Sequence, residues 1–408
     1  MRILILGGGY AGILTAKALE KELGFKRDKN ITLIDKNPYH TLLTQLHEVA
    51  AGRVSPSAVR IPYDMIFEES VVSVVQDEIK GFDFERGRVL SDSGGYGYDY
   101  LIIATGSRPD FFGIPGVERY GYKLWSYKEA VAIRSMIYDR FHLASETLAP
   151  SQRRRLLSFV IAGGGFTGVE LAGDLASRKK ALCRHFDVDA SEVSVYLVEA
   201  MPEILNVLAP SLRKKSRGYL EKMGVKVLTD CAIGKVEADS VFLKSGDVLE
   251  GCLIWTAGIK GNPYILKSDI SYDEKKHWIN VNAHLQSLSH DNVFCVGDSL
   301  FYEHQNRPVP KVVETCMQSA TLVAKNIRRI INGKEPLTFH PKYRGSMVSI
   351  GPFYGVAQMG SIKLKWLFAT AAKHFAHIHY MHTIGGLKLG HKYIKDQFVD
   401  RIFFREVL

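Results

Sequence analysis

One pattern occurs twice in the chain and narrows what it can fold into. Ile3-Leu4-Ile5-Leu6 runs into Gly7-Gly8-Gly9-Tyr10-Ala11-Gly12 and then a helical stretch to about Leu23. Leu157-Ser158-Phe159-Val160-Ile161 runs into Gly163-Gly164-Gly165-Phe166-Thr167-Gly168, with a helix continuing through Leu171 and Leu175. In each copy the first glycine allows a tight turn, the middle one (Gly9, Gly165) lets the backbone approach a pyrophosphate, and the last (Gly12, Gly168) lets helix and strand pack closely. The helix that follows offers free N–H groups and the positive end of its dipole to the phosphates. The next strand of each copy ends in an acid: Ile31–Ile34 in Asp35, and Val193–Val198 in Glu199. Such a carboxylate accepts the hydroxyls of an adenosine ribose, and Glu199 should take the free diol of NADH while repelling the 2′-phosphate of NADPH. Glu199 lies farther from its glycines than Asp35 does, and the extra length is expected in the basic, irregular stretch 178–190. Two complete fingerprints predict an α/β chain with two Rossmann-type dinucleotide-binding domains.

Two buried strands link the halves: Tyr100–Ile103 leading to Ala104-Thr105-Gly106, and Leu253–Trp255 leading to Thr256-Ala257-Gly258. A late strand, Asn292–Val296, runs into Gly297-Asp298. The second nucleotide unit is therefore expected inside the first, giving residues 1–117 and 261–350 to one domain, 118–260 to the other and 351–408 to a C-terminal region. No run approaches the roughly 18 uncharged apolar residues of a membrane span, and no signal peptide precedes the first strand, so a cytosolic setting is expected with membrane attachment open. The net charge of +10 favours an anionic partner. The runs Arg153-Arg154-Arg155 and Arg213-Lys214-Lys215 lack aromatic interleaving, which argues against nucleic acid. Cys183, Cys231, Cys252, Cys295 and Cys316 contain no CxxC spacing.

The chain resembles the type II NADH dehydrogenases, single-subunit NADH:quinone oxidoreductases of the flavoprotein superfamily with two dinucleotide-binding domains. The likeness rests on NPYHTLLTQLHEVAAG from Asn37, ATGSRPDFFGIPG from Ala104, IAGGGFTGVELAGD from Ile161, WTAGIKGN from Trp255 and VFCVGD from Val293. It implies FAD in the first site, touched by Gly7, Gly9, Tyr10, Ala11, Gly12, Asp35, Lys36, Thr44, Ala104, Thr105, Gly106, Gly297 and Asp298. It implies NADH in the second, touched by Gly163, Gly165, Phe166, Thr167, Gly168, Glu199, Ala257 and Gly258. Hydride would pass from NADH to flavin and electrons onward to a quinone, without proton pumping. Glu170 resembles a family residue tied to nicotinamide or quinone binding and proton movement; Lys388 matches a lysine placed near the flavin ring. After Pro310 the family has a Gln pair bordering the quinone pocket. Here Gln318 is retained and Glu314 stands where Gln is expected, which leaves a proton donor or a different acceptor open. A sulfide:quinone oxidoreductase is the nearest alternative, needing redox cysteines of which only Cys316 is suitably placed. A flavin-based redox sensor with little turnover is another.

The last 48 residues carry eight Lys or Arg against three Asp or Glu. Between Ile362 and Met381, Leu364, Leu367, Phe368, Ala371, Phe375 and Ile378 fall near one helical face, with Trp366 beside them and Lys363, Lys373, His374 and His377 on others. A second pattern, Ile394, Phe398, Val399, Ile402 and Phe403, follows Gly385-Gly386. Two basic amphipathic helices suit a peripheral anchor on the cytoplasmic face of a membrane; packing on the body or a homodimer seam is open. His374, His377, His379 and His382 lack acidic or Cys partners at ligand spacing, so no metal is expected and the histidines read as solvated or interfacial.

Overall fold

The structure is a computed structural model that describes residues 1–24 and 30–399. The first unit opens with β1 (Arg2–Leu6), α1 (Tyr10–Leu23), β2 (Asn30–Asp35), β3 (Val72–Gln76) and β4 (Tyr100–Ile103). The second contains β5 (Tyr122–Lys123), β6 (Ser158–Ala162), α2 (Phe166–Phe186), β7 (Ser194–Val198), β8 (Val225–Leu228) and β9 (Cys252–Trp255). The chain then returns to the first sheet with β10 (Val293–Cys295), followed by α3 (Val313–Ile331). Two parallel five-stranded sheets result, in the orders β10-β4-β1-β2-β3 and β5-β9-β6-β7-β8. The central strands are buried throughout except for Arg2 at the start of β1, as expected of parallel strands covered by helices on both faces. The crossings between units run side by side: Arg108–Pro109 pairs antiparallel with Ile259–Lys260.

The glycine turns repeat their geometry. Gly7 and Gly163 have φ of 98° and 106°, which only glycine adopts readily. A Cβ on Gly12 would lie 1.8 Å from the Gly7 carbonyl oxygen, and one on Gly168 would lie 1.9 Å from that of Gly163. Residues 178–186 are not irregular, contrary to expectation. They extend α2 to Phe186, because Leu182 and Cys183 keep a buried face in helical register.

The C-terminal region differs from its expected form. Ser346–Ile350 (β11), Tyr354–Met359 (β12) and Ile362–Lys365 (β13) form an antiparallel sheet, and α4 covers Leu367–Ile394. Residues 362–365 are strand because they have a partner edge, Met359 to Val356, so Leu364 and Lys363 are not helical. Helix α4 breaks at Gly385 and Gly386, as the glycine pair suggests. Ile402 and Phe403 lie outside the described residues.

The first turns of helix α4 dock with the polar residues Thr370, Lys373 and His377 inward, and the later turns with apolar ones. Leu367, Phe368, Ala371 and Phe375 are exposed, while Tyr380, Met381 and Ile384 are buried. His377 is not solvated as expected. Its Nδ1 faces the Lys373 carbonyl at 2.8 Å, and its Nε2 faces Thr44 Oγ1 at 3.0 Å. A carbonyl can only accept, so Nδ1 carries the proton and Nε2 accepts from Thr44. Three residues on, the Tyr380 hydroxyl sits 3.0 Å from His40 Nε2. His379 and His382 are exposed.

Burial holds both inward histidines neutral. It pushes His40 down to about 4, and it does the same to His377 with the Lys373 charge added. Between about 6.5, the ordinary value, and about 4 the unfolded chain therefore binds protons that the folded one refuses, so stability falls as pH falls through that window. Melting temperature should drop by about 5 °C or more from pH 7 to 4.5, and His377→Asn should flatten part of that slope. Melting that is independent of pH in this window would contradict the assignment.

Candidate functional site: two dinucleotide cradles and a buried ion network

Both turns leave the same opening. A Cβ built on Gly9 or on Gly165 meets nothing within 4 Å, whereas the outer glycines of each turn are closely packed. Space at the middle glycine, beside a helix N-terminus, is the shape a pyrophosphate needs. Each acid holds its own turn: Asp35 Oδ2 accepts the Gly8 N–H at 2.6 Å, and Glu199 Oε2 accepts that of Gly164 at 2.6 Å. Their second oxygens accept the N–H groups of Asn37 and Met201. A carboxylate offers about four lone-pair positions, so Glu199 can still take both ribose hydroxyls, whereas Asp35, which also accepts from Asn37 Nδ2 at 3.2 Å, can take one. Lys36 is exposed beside Asp35.

The strand ends match as well. Gly106 and Gly258 have φ of 68° and 69° at equivalent points after β4 and β9. Ala104 packs on Gly7 and Ala257 on Gly163, so each small residue admits the turn beside it. Gly106 is tied to the late Gly-Asp segment, since its N–H donates to Ser299 Oγ at 2.9 Å. Gly297, at φ 63°, is pressed between Ala11 and Cys316. Asp298 is half-buried and accepts from Ser107 Oγ at 3.2 Å; desolvation of its carboxyl raises its pKa, with Lys311 opposing. Burial of Lys311 lowers it to about 8, with the Asp298 charge opposing. Tyr10 is buried with its hydroxyl 2.9 Å from Thr44 Oγ1, whereas Phe166 and Thr167, its counterpart and next neighbour in the second turn, are partly exposed and exposed. These residues fit FAD and NADH.

Glu170 sits one turn into α2, buried between the units. Its Oε1 accepts the Lys373 ammonium at 2.6 Å, the Ser349 N–H at 3.1 Å and the Ser349 hydroxyl at 3.2 Å. Its Oε2 lies 3.3 Å from His47 Nε2. His47 Nδ1 meets Asp174 Oδ2 at 2.7 Å, and Asp174 also pairs with Arg53. Burial works against the Asp174 charge, but Arg53 and then His47 outweigh it and hold the carboxyl below its usual range. The first unit supplies His47 and Arg53, the second Glu170 and Asp174, strand β11 Ser349 and helix α4 Lys373. Sequence reasoning found only Glu170. The sequence places Lys373 only off the apolar face of an amphipathic helix, and its one signal is its i, i+4 spacing from His377.

The other candidates lie apart from this network. Lys388 is exposed and pairs with Glu68 at 2.5 Å. Gln318 exchanges hydrogen bonds with the Lys342 backbone at 2.6 and 2.8 Å and donates to Glu314 at 2.7 Å. Glu314 has its cation in Arg344, at 3.5 Å. All five cysteines are free thiols. Cys316 is buried, and burial raises its pKa well above the ordinary value, which makes it a poor nucleophile. Among the described residues no His, Cys, Asp or Glu group is arranged to hold a metal ion.

Residues 1–320 match the pyridine nucleotide-disulphide oxidoreductase family. The chain is 30% identical over 397 residues to the type II NADH:quinone oxidoreductase of Staphylococcus haemolyticus, covering 96% of this chain and 98% of that one. The Staphylococcus aureus enzyme of the same name is 30% identical over 400 residues, with the same coverage. In fold, NDH2 of Plasmodium falciparum in complex with NADH superposes with a TM-score of 0.89 at 18% identity, covering 100% of this chain and 99% of that one. Sulfide:quinone oxidoreductase of Aquifex aeolicus follows at 0.76 and 19%, covering 98% and 94%. With two glycine turns of matched geometry and similarity along nearly its whole length, the chain belongs to the type II NADH:quinone oxidoreductases of the pyridine nucleotide-disulphide oxidoreductase family.

Proposed function

We propose that the protein oxidises NADH and delivers the electrons to a quinone at the cytoplasmic face of a membrane, with FAD held by the first glycine turn and NADH by the second. The observation that carries this reading is the pair of open cradles in one chain, each closed by a carboxylate and joined by the Glu170–Lys373 network. When bound, FAD supplies the two-electron chemistry, taking hydride from NADH and yielding electrons to quinone. Gly7–Gly12, Asp35, Ala104–Gly106, Gly297 and Asp298 would hold it; Gly163–Gly168, Glu199, Ala257 and Gly258 would hold NADH.

Reducing a quinone with one hydride equivalent takes one further proton. Lys373 and Glu170 are the pair we assign to that proton. The ammonium donates to Glu170 and to Ser349 Oγ at 2.9 Å and lies 3.3 Å from His47 Nε2, so a proton lost at Nζ has several routes of return. Lys373→Met would leave Glu170 buried without its cation.

The exposed row of Leu367, Phe368, Ala371 and Phe375, with Trp366 and Leu387 nearby, supports attachment to a lipid surface. No helix among the described residues is long and apolar enough to cross a membrane.

Anaerobic stopped-flow tests the proposal. NADH should bleach the flavin, and a soluble quinone should restore its colour within the turnover time; bleaching without reoxidation would remove quinone as the acceptor. In Lys373→Met, reoxidation should slow at least about tenfold while bleaching changes by less than about threefold. Phe368→Asp with Phe375→Asp should weaken binding to anionic vesicles more than about tenfold and leave turnover with soluble quinone unchanged. Unaltered vesicle binding would assign the apolar row to another partner.

A further inference from the structure

The two glycine turns are secured in different ways. In the second, the Gly164 carbonyl accepts a backbone N–H of its own domain, that of Leu205, at 2.8 Å. In the first, the Gly8 carbonyl accepts only side chains among its described partners: His40 Nδ1 at 3.0 Å and the Tyr63 hydroxyl at 3.2 Å. His40 is fully buried, and its tautomer is fixed by its surroundings. The Gly8 oxygen can only accept, so Nδ1 carries the hydrogen and the bare Nε2 accepts the Tyr380 hydroxyl at 3.0 Å. Tyr380 belongs to α4, more than 300 residues from the turn.

A second connection runs beside the first. The Tyr10 hydroxyl meets Thr44 Oγ1 at 2.9 Å, and Thr44 meets His377 Nε2 at 3.0 Å. The Tyr10 ring also packs against those of His40 and Tyr380, with centroids 5.1 and 4.7 Å away. Gly9, where the cradle is open, is therefore flanked by two residues that α4 holds from behind. Among the described residues nothing comparable reaches Gly165: the partner of Gly164 is local, and Phe166 is only partly buried.

We propose that His40 and Tyr380 are positioning residues for the FAD site: through the path Tyr380–His40–Gly8, the C-terminal helix sets the peptide beside the open cradle, and tight retention of FAD depends on how that helix is seated. The proposal rests on reading the first turn as the FAD site. Gly8–Tyr10, beside the open space at Gly9, would hold the ligand, so loosening that peptide would speed release of FAD and leave the NADH turn unchanged.

The experiment measures FAD release from the holoprotein, by recovery of free-flavin fluorescence after dilution, in Tyr380→Phe, His40→Asn and the double variant. Tyr380→Phe removes one hydrogen bond and should release FAD about three- to tenfold faster. The Asn amide can replace Nδ1 at the Gly8 carbonyl but cannot also reach Tyr380, so His40→Asn should release faster too, and the double variant no faster than the quicker single one. Apoprotein melting should stay within about 2 °C of the wild type, while the extra stability conferred by FAD shrinks. Unchanged release in both single variants overturns the proposal, as does an additive double variant. An apoprotein that melts as much earlier as the holoprotein also overturns it, because Tyr380 would then serve packing alone. A wild-type protein that does not retain FAD would instead overturn the reading of the site.

Discussion

The fold turns on a cluster of charge buried where three parts of the chain meet. Glu170 and Asp174 come from the second glycine helix, His47 and Arg53 from a loop and short helix of the first unit, and Lys373 from the C-terminal helix. Each would be costly to bury alone; together they satisfy one another, and removing any one leaves a partner stranded. The apolar sheets could each form without this cluster, but their relative placement could not be so narrowly defined. Ser349, from the small antiparallel sheet, adds two donors to Glu170 and so fixes that sheet to the same point.

Much of this was legible in the sequence. Glycines in register with strands fix local geometry through hard sterics, so Gly7, Gly12, Gly163 and Gly168 fold as their spacing implies, and the acids at the strand ends follow from the same register. The resemblance pointed to Glu170, though not to its partners. His47 and Lys373 are 326 positions apart, and no periodicity relates them. The C-terminal segment misled for a different reason. Its apolar stripe is real, yet an amphipathic pattern gives two faces without saying which one the protein covers. Here the polar face is covered, because buried acids, a threonine and a histidine from the first unit await it. Residues 362–365 were read as helix because strand pairing depends on an edge that a helical window does not see.

The two dinucleotide units also show what duplication leaves free. Turn geometry, the φ of Gly7 and Gly163 and the acid's bond to the N–H of the next residue, Gly8 or Gly164, agree closely. The residue after the third glycine does not: Tyr10 is buried and bonded, Phe166 partly exposed. One site is closed over from behind by the rest of the chain, which suits a resident group. The other stays open, which suits a substrate that must enter and leave in every turnover.

The paired crossings between units, Arg108–Pro109 against Ile259–Lys260, bear on mechanics. Two connections lying side by side as a ribbon act as one hinge, with a single easy axis of swing. The buried ion cluster lies away from that ribbon in the chain and clamps the same two bodies together, so swinging about the hinge would have to pull Glu170 from Lys373 and Asp174 from Arg53. Any swing of one unit against the other is thus tied to the breaking of these buried ion pairs.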